Sequence, residues 1–172
     1  TLDSFDKLNG TSVPVTYIGD IKHSRVFESG RQLLNMLGYK VGVFTNQTFE
    51  TIRAKNKISV DPDPGSYPTF LGTSDEFFNQ NNEKFDVIFI DGLHLAEQVD
   101  RDINNALKFI KNDGFIVLHD CNPPTEWHAR ETYEYHNTPA DGAWNGTVWK
   151  AFLKRRFDDS LKCCCVNVDW GV

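Results

Sequence analysis

Four residues of this chain have the types and spacing to do acid–base chemistry: Asp91 and His94, then His119 and Asp120. The first pair ends the run DVIFIDGLH and the second ends FIVLHD, so each directly follows a short apolar stretch. Such stretches are expected of parallel strands covered on both faces. Two of them side by side would bring acid and imidazole groups to one edge of a sheet. In open α/β sheets, ligands bind in the crevice outside the carboxyl ends of the strands. Imidazole titrates near neutrality, so His94 is suited to general acid–base work, with Asp91 beside it.

These residues need a frame, and the sequence alternates strand and helix patterns around them. Val26, Phe27, Leu33, Leu34 and Leu37 are spaced for one face of a helix that Gly38 would cap. Tyr39 to Phe44 (YKVGVF) reads as a strand, Gln47 to Ala54 as a helix with Phe49 and Ile52 inward, and Lys57 to Asp61 (KISVD) as a second strand. The Pro62-Asp63-Pro64-Gly65 turn stops that strand. Thr73 and Glu76 have the spacing of a capping box that opens a short helix with Phe77 and Phe78.

Asp86 to Ile90 is the next strand. It is followed by a helix with Val99, Ile103, Ala106, Leu107 and Ile110 on one stripe, ended by Asn112-Asp113-Gly114. Phe115 to Leu118 is a buried strand, Thr147 to Arg156 a helix with Val148, Phe152 and Leu153 inward, and Cys163 to Val168 a final strand. The alternation predicts a doubly wound, mostly parallel α/β domain of three αβα layers over residues 24–172. Residues 1–23 are read as an N-terminal arm.

At 172 residues the chain has the size of one domain, and 40% apolar with 24% charged residues is ordinary for a globular protein. The net charge of −6 argues against nucleic acid or an anionic membrane as a general partner. No apolar run approaches the roughly 20 residues that span a bilayer. TLDSFDKLNG lacks the regions of a signal peptide, so the cytoplasm is the expected location. The Asn-x-Thr triplets at Asn9, Asn46 and Asn145 are accordingly read as chance. Cys121 and the run Cys163-Cys164-Cys165 have no zinc-site spacing and read as small buried hydrophobes. The sequence does not fix the oligomeric state.

Two further strand ends bear on binding. Gly42 would let a ligand approach the backbone, and Asp61 stands where an acid commonly accepts from ribose hydroxyls. With ISVDPDP, TSDEFF, DVIFIDGLH and the stretches VLHDCNPP and WNGTVWKA, the chain resembles the class I S-adenosylmethionine-dependent methyltransferases. More narrowly, it resembles a small-domain subfamily with IDGxH and a later HD pair, several of which modify sugars. The resemblance covers roughly Ser24 to the C-terminus, where this fold usually continues into an edge hairpin.

The resemblance implies S-adenosylmethionine as cofactor, bound by Gly42, Asp61, Asp91 and the Ser74-Asp75 loop beside the adenine. It implies a divalent metal at Asp91, His119 and Asp120, its identity left open because imidazole suits Mg²⁺ less well than Zn, Fe, Ni or Cu. The acceptor would be a small hydroxylated, carbohydrate-like molecule, walled by the aromatic loop of Trp127, His128, Tyr133, Tyr135, His136 and Trp144. Lys40 and Asn46 depart from the family's first motif, which keeps open a non-catalytic, methyltransferase-like binding domain. A nicotinamide-dependent dehydrogenase is the weaker third reading, since no G-x-G-x-x-G opens the first helix.

Overall fold

In a computed structural model, the chain is described at residues 15–19 (backbone), 49, 54–132, 138–140, 142–168 and 170–172. Among the described residues five strands form one sheet: β1 (Val15–Gly19), β2 (Lys57–Asp61), β3 (Phe70–Leu71), β4 (Phe85–Asp91) and β5 (Ile110–Leu118). Their order is β3-β2-β1-β4-β5 and every pairing is parallel. Parallel strands need crossover connections: α2 (Ala96–Phe109) lies in the one between the neighbours β4 and β5, and α1 (Ser74–Gln80) in the one that leads from the edge strand β3 to β4. The helix α3 (Val148–Arg156) follows β5. The α/β class expected from the sequence is what the sheet shows.

β4 is the strand on which the core is built. Phe85, Ile88 and Ile90 are each at most 2% exposed, in one cluster with Val60, Phe77, Phe78, Val99, Ile103 and Ala106. The capping box forms as its spacing predicts. Thr73 Oγ1 accepts from the Glu76 amide at 3.2 Å, and Glu76 Oε2 accepts from the Thr73 amide at 2.8 Å. That start fixes α1 so that Phe77 and Phe78 face the core, where Phe78 stacks on Phe109 of α2 at 5.6 Å. Phe49 packs against Phe89 and Val117, inward as expected.

Four expectations are corrected. The place beside β4 is held by Val15–Gly19, within the segment read as an arm, in register from Val15↔Val87 to Gly19↔Asp91. Val15, Thr16, Tyr17 and Ile18 are all β-branched or aromatic, which suits a central strand better than YKVGVF with its interior glycine. Tyr39–Phe44, and Gly42 with it, lie outside the described residues. Second, the Asn112-Asp113-Gly114 turn is absorbed into β5, which starts at Ile110 rather than Phe115. The pairing jumps from Phe85↔Ile110 to Val87↔Phe115, so the extra residues bulge. Gly114 permits the bulge, since a Cβ there would sit 2.8 Å from the Asp86 carbonyl oxygen.

Third, Leu153 of α3 is 44% exposed, while Val148 and Ala151 are buried and Phe152 packs on the core. Fourth, Cys163–Val168 is not a strand; Val166 instead exchanges both backbone bonds with Val172, at 2.6 and 3.1 Å.

On α2 one buried position is a carboxyl: Asp102, 1% exposed, accepts from Gln98 Nε2 at 3.1 Å. Burial raises its pKa above 3.8, and neutral hydrogen bonds do not offset this. A raised folded-state pKa contributes stability that is complete below the unfolded value and is lost as pH rises through the folded one. Asp102→Asn, which keeps the shape and removes the charge, should therefore stabilise the protein at pH 7 relative to wild type. That gain should shrink as pH falls towards 3.8, read as urea midpoints across the range. An equal gain at every pH would mean that the carboxyl's ionisation is not the cause.

Candidate active site

β4 and β5 end side by side, with Ile90 in register with Leu118. The next residues, Asp91 at the last position of β4 and His119 just past β5, therefore stand side by side, and the His119 amide donates back to the Ile90 carbonyl at 3.2 Å. Four side chains converge there. His119 Nδ1 lies 3.4 Å from Asp91 Oδ1 and 3.1 Å from Asp120 Oδ2. His94 reaches the same two carboxylates, with Nε2 3.5 Å from Asp91 Oδ1 and Nδ1 3.2 Å from Asp120 Oδ2. Asp91, His119 and Asp120 are buried, and the His94 side chain is 13% exposed. The pairs at the two strand ends thus form one cluster.

Asp120 holds its place through an unusual backbone, at φ +63. Asp tolerates this left-handed geometry better than most residues, but it persists only where the surroundings impose it. Here they do. The two following amides, of Cys121 and Asn122, donate to Gly171 and Trp170 carbonyls at 2.9 and 2.6 Å. Asn145 Nδ2 donates to Asp120 Oδ1 at 2.6 Å.

The loop before α3 holds His94 in turn. Its Nδ1 is 2.9 Å from the Trp144 carbonyl, and its ring stacks on Trp144 at 5.2 Å. The Thr147 amide donates to the His94 carbonyl at 2.8 Å. Thr147 Oγ1 accepts from the Ala96 amide at 2.7 Å, capping α2, whose own N-cap Leu95 offers no side-chain bond. Between them Gly146 adopts φ +61 against His94, where any side chain would collide.

These contacts fix the chemistry of the ring. Two acceptors face Nδ1, the Trp144 carbonyl at 2.9 Å and Asp120 Oδ2 at 3.2 Å, so Nδ1 carries the hydrogen. Nε2 of the neutral ring then turns a lone pair towards the Asp91 carboxylate. Neither Asp91 oxygen nor Asp120 Oδ2 receives a protein hydrogen bond. Acceptors facing one another in a buried place call for positive charge between them, as a proton or a cation.

The titration of the groups follows. Burial pushes the Asp91 carboxyl up, but His119 and His94 outweigh it and its pKa falls below the ordinary 3.8. Burial pushes His94 down, yet the Asp91 carboxylate beside its Nε2, the charge of Asp120 and the Trp144 carbonyl raise it above 6.5. Asp91, His94 and Asp120 each offer one ligand atom, all within 4.8 Å of one another, which suits a metal ion. The ligand set expected from the sequence had His119 in place of His94; His119 touches both carboxylates as well.

The remaining expected site residues lie elsewhere in the sheet. Asp61 ends β2, 1% exposed, and its Oδ1 accepts from the Asp63 amide at 2.7 Å, a turn bond. Ser74 and Asp75 begin α1 and are tied to α2: Gln98 Nε2 is 3.2 Å from Ser74 Oγ, and Arg101 Nε is 3.4 Å from Asp75 Oδ2. Trp127 is 44% exposed beyond Asp120, and His128 bonds Thr125 at 2.8 Å; Tyr133, Tyr135 and His136 lie outside the described residues. Cys121 is buried with its thiol pushed upward by burial, whereas Cys164 is exposed, against the expectation of buried cysteines. Asn145, Gly146 and Thr147 were missed as site residues. Their triplet was read as a chance glycosylation motif and as part of the WNGTVWKA stretch, with no role assigned at the site, and Asn145 is 0% exposed.

Comparison with known proteins bears on this geometry. Residues 37–121 match a family model described as a methyltransferase domain. The match spans β2 to Cys121, and so includes Asp61, Asp91, His94, His119 and Asp120. It supports a methyltransferase domain of Rossmann-like α/β fold, and with it a methyltransferase function. A curated relative, the aspartate carbamoyltransferase catalytic subunit of Aquifex aeolicus (strain VF5), is 72% identical over 29 residues, 17% of this chain and 10% of that protein. The chain spans about a tenth of that relative's length, a stretch too short to speak for its activity. Among the described residues, no helix is long and apolar enough to cross a membrane.

Gly146 gives the site a structural test. In Gly146→Ala the Cβ would lie 2.7 Å from the His94 Cβ and press on its backbone, at a left-handed φ. The strained backbone and the overpacking together should cost about 2–4 kcal/mol, read by urea denaturation. A change below about 0.5 kcal/mol would show that the loop does not clamp His94 as drawn.

Proposed function

We propose that this chain is an S-adenosylmethionine-dependent O-methyltransferase acting on a small, carbohydrate-like hydroxyl acceptor. Its frame would be the doubly wound αβα arrangement expected from the sequence, with the cofactor along the carboxyl ends of the strands from Asp61 to Asp91. The observation that carries the reading is the convergence of Asp91, His94 and Asp120 on one buried spot at the β4–β5 edge. S-adenosylmethionine supplies a methyl group on a sulfonium, so the reaction forms one C–O bond as one C–S bond breaks and releases the hydroxyl proton.

The residues present fit that proton. His94 Nε2 receives it while Nδ1–H stays on the Trp144 carbonyl, and Asp91 and Asp120 stabilise the imidazolium. The same atoms fit a divalent cation: Asp91, His94 and Asp120 would hold it, and it would lower the pKa of a hydroxyl brought to it. At Nε2 the two occupancies exclude each other. Exposed Trp127, on the loop after Asp120, is suited to stack on a sugar ring. Cys121 is not the nucleophile, because burial holds it as the neutral thiol.

A second reading, a binding domain of methyltransferase type without catalysis, is favoured by Lys40 and Asn46, which lie outside the described residues. Calorimetry with S-adenosylhomocysteine separates the two. Binding in the micromolar range supports the enzyme; a folded protein that takes none up to millimolar concentrations is the binding domain. Asp61→Asn keeps an oxygen for the Asp63 turn bond and removes the charge. It should lose about 1.5–3 kcal/mol of that affinity, as expected for charge-assisted hydrogen bonds. Unchanged affinity would take Asp61 out of the ribose site.

The occupant of the His94 edge is read by methyl transfer to sugar hydroxyls. With a cation, chelator abolishes turnover and added metal restores it. With the proton alone, chelator changes nothing. The rate then rises with pH along a limb centred above 6.5, because the raised pKa keeps His94 protonated below it, and His94→Gln removes that limb.

A further inference from the structure

One buried polar side chain at the site has no role in the reaction as written: Asn145. It is 0% exposed and stands 25 positions along the chain from Asp120. Its backbone is pinned, since the Asn145 and Gly146 amides both donate to the His128 carbonyl at 3.0 Å. The orientation of its amide follows from chemistry, because an ionised carboxylate only accepts, so the nitrogen must face Asp120. The 2.6 Å bond then engages Asp120 Oδ1 and leaves Oδ2 beside His94.

The other half of the same amide is unsatisfied. Asn145 Oδ1 is buried and receives no hydrogen bond, as is true of Asp120 Oδ2 and both Asp91 oxygens. A buried acceptor left without a donor costs about 1–3 kcal/mol. Three groups bearing that cost at one spot fit an occupant that brings positive charge together with O–H donors, which a hydrated cation does and a lone proton on His94 does not.

We propose that Asn145 is a positioning residue for a divalent cation: its Nδ2 fixes the Asp120 carboxylate so that Oδ2 turns to Asp91 and His94, and its Oδ1 accepts a hydrogen bond from water on that cation. The inference rests on the cation occupancy argued above, and adds a residue beyond the segment matched by the family model. Partners of this outer kind hold a carboxylate in its ligating direction, and their loss commonly weakens metal affinity 10–100-fold.

The test is titration of the whole chain with Mn²⁺, an ion suited to carboxylate and water ligands, followed by calorimetry and by the relaxation of water protons on the bound ion. Wild type should bind Mn²⁺ and Asp91→Asn should lose it. Asn145→Ala should bind about 10–100-fold more weakly, with a changed water relaxation. Asn145→Ser, too short to reach Asp120 but still polar, should do the same and serves if the alanine variant does not fold. Full Mn²⁺ affinity in a folded Asn145 variant, alongside loss in Asp91→Asn, overturns the positioning role and leaves the cation. Failure of wild type to bind Mn²⁺ overturns both.

Discussion

Two carboxylates and two imidazoles are withdrawn from water at a single sheet edge, and much of the surrounding structure follows from that. An isolated ionised carboxylate in a buried place is prohibitively unfavourable, so it must be neutralised or meet positive charge. Asp91 and Asp120 are 4% and 0% exposed, and each lies within ion-pair distance of both His94 and His119. A cluster of this kind survives only if its members cannot drift apart. That requirement explains why the contacts around it are made by backbone as much as by side chain.

The restraint comes from segments distant in sequence. β4 and β5 set Asp91 and His119 side by side through their register. The loop at Trp144 to Thr147 closes over His94 and caps α2. The segment at Trp170 and Gly171 bonds the amides that follow Asp120. α3 is then tied to α2 by Lys154, 2.7 Å from Asp100, and by Arg155 on the same carboxylate. Each restraint is modest alone. Together they over-determine a left-handed Asp120 that the β5 chain would not adopt unaided.

What the sequence made legible was local. β2 was readable because KISVD is β-rich and a proline turn stops it, and α1 because Thr73 and Glu76 satisfy each other within one turn. The meeting of Asp91, His94, His119 and Asp120 was readable because two apolar runs ended in the same chemistry. The misses share the opposite cause. Asn145 acts on a residue 25 positions away, and no periodicity marks such a pair. Gly114 looked like a turn because glycine usually makes one, yet here it admits a bulge against Asp86. The strand at Val15–Gly19 was missed because five residues carry too little period to outweigh the polar stretch before them. Leu153 fell on the wrong face because one residue turns a helix by about 100°, past the edge of a narrow apolar stripe.

The chain buries a carboxyl on α2 as well, and the contrast shows what the sheet edge is for. Burial is the largest influence on both Asp91 and Asp102, and in both it favours the neutral acid. At Asp102 the partners are Ser74 and Gln98, the nearby charge of Asp75 opposes ionisation further, and Arg101 is half exposed; the pKa rises. At Asp91 two imidazoles face the carboxylate and the pKa falls. The same desolvation thus leaves a raised pKa on the helix and a lowered one at the strand end. A persistent buried anion whose oxygens receive no protein hydrogen bond is unfavourable for folding alone. Its partners, His119 and His94, keep it charged. The difference lies in the partners: imidazole faces the carboxylates of Asp91 and Asp120, and neutral amide and hydroxyl donors face Asp102.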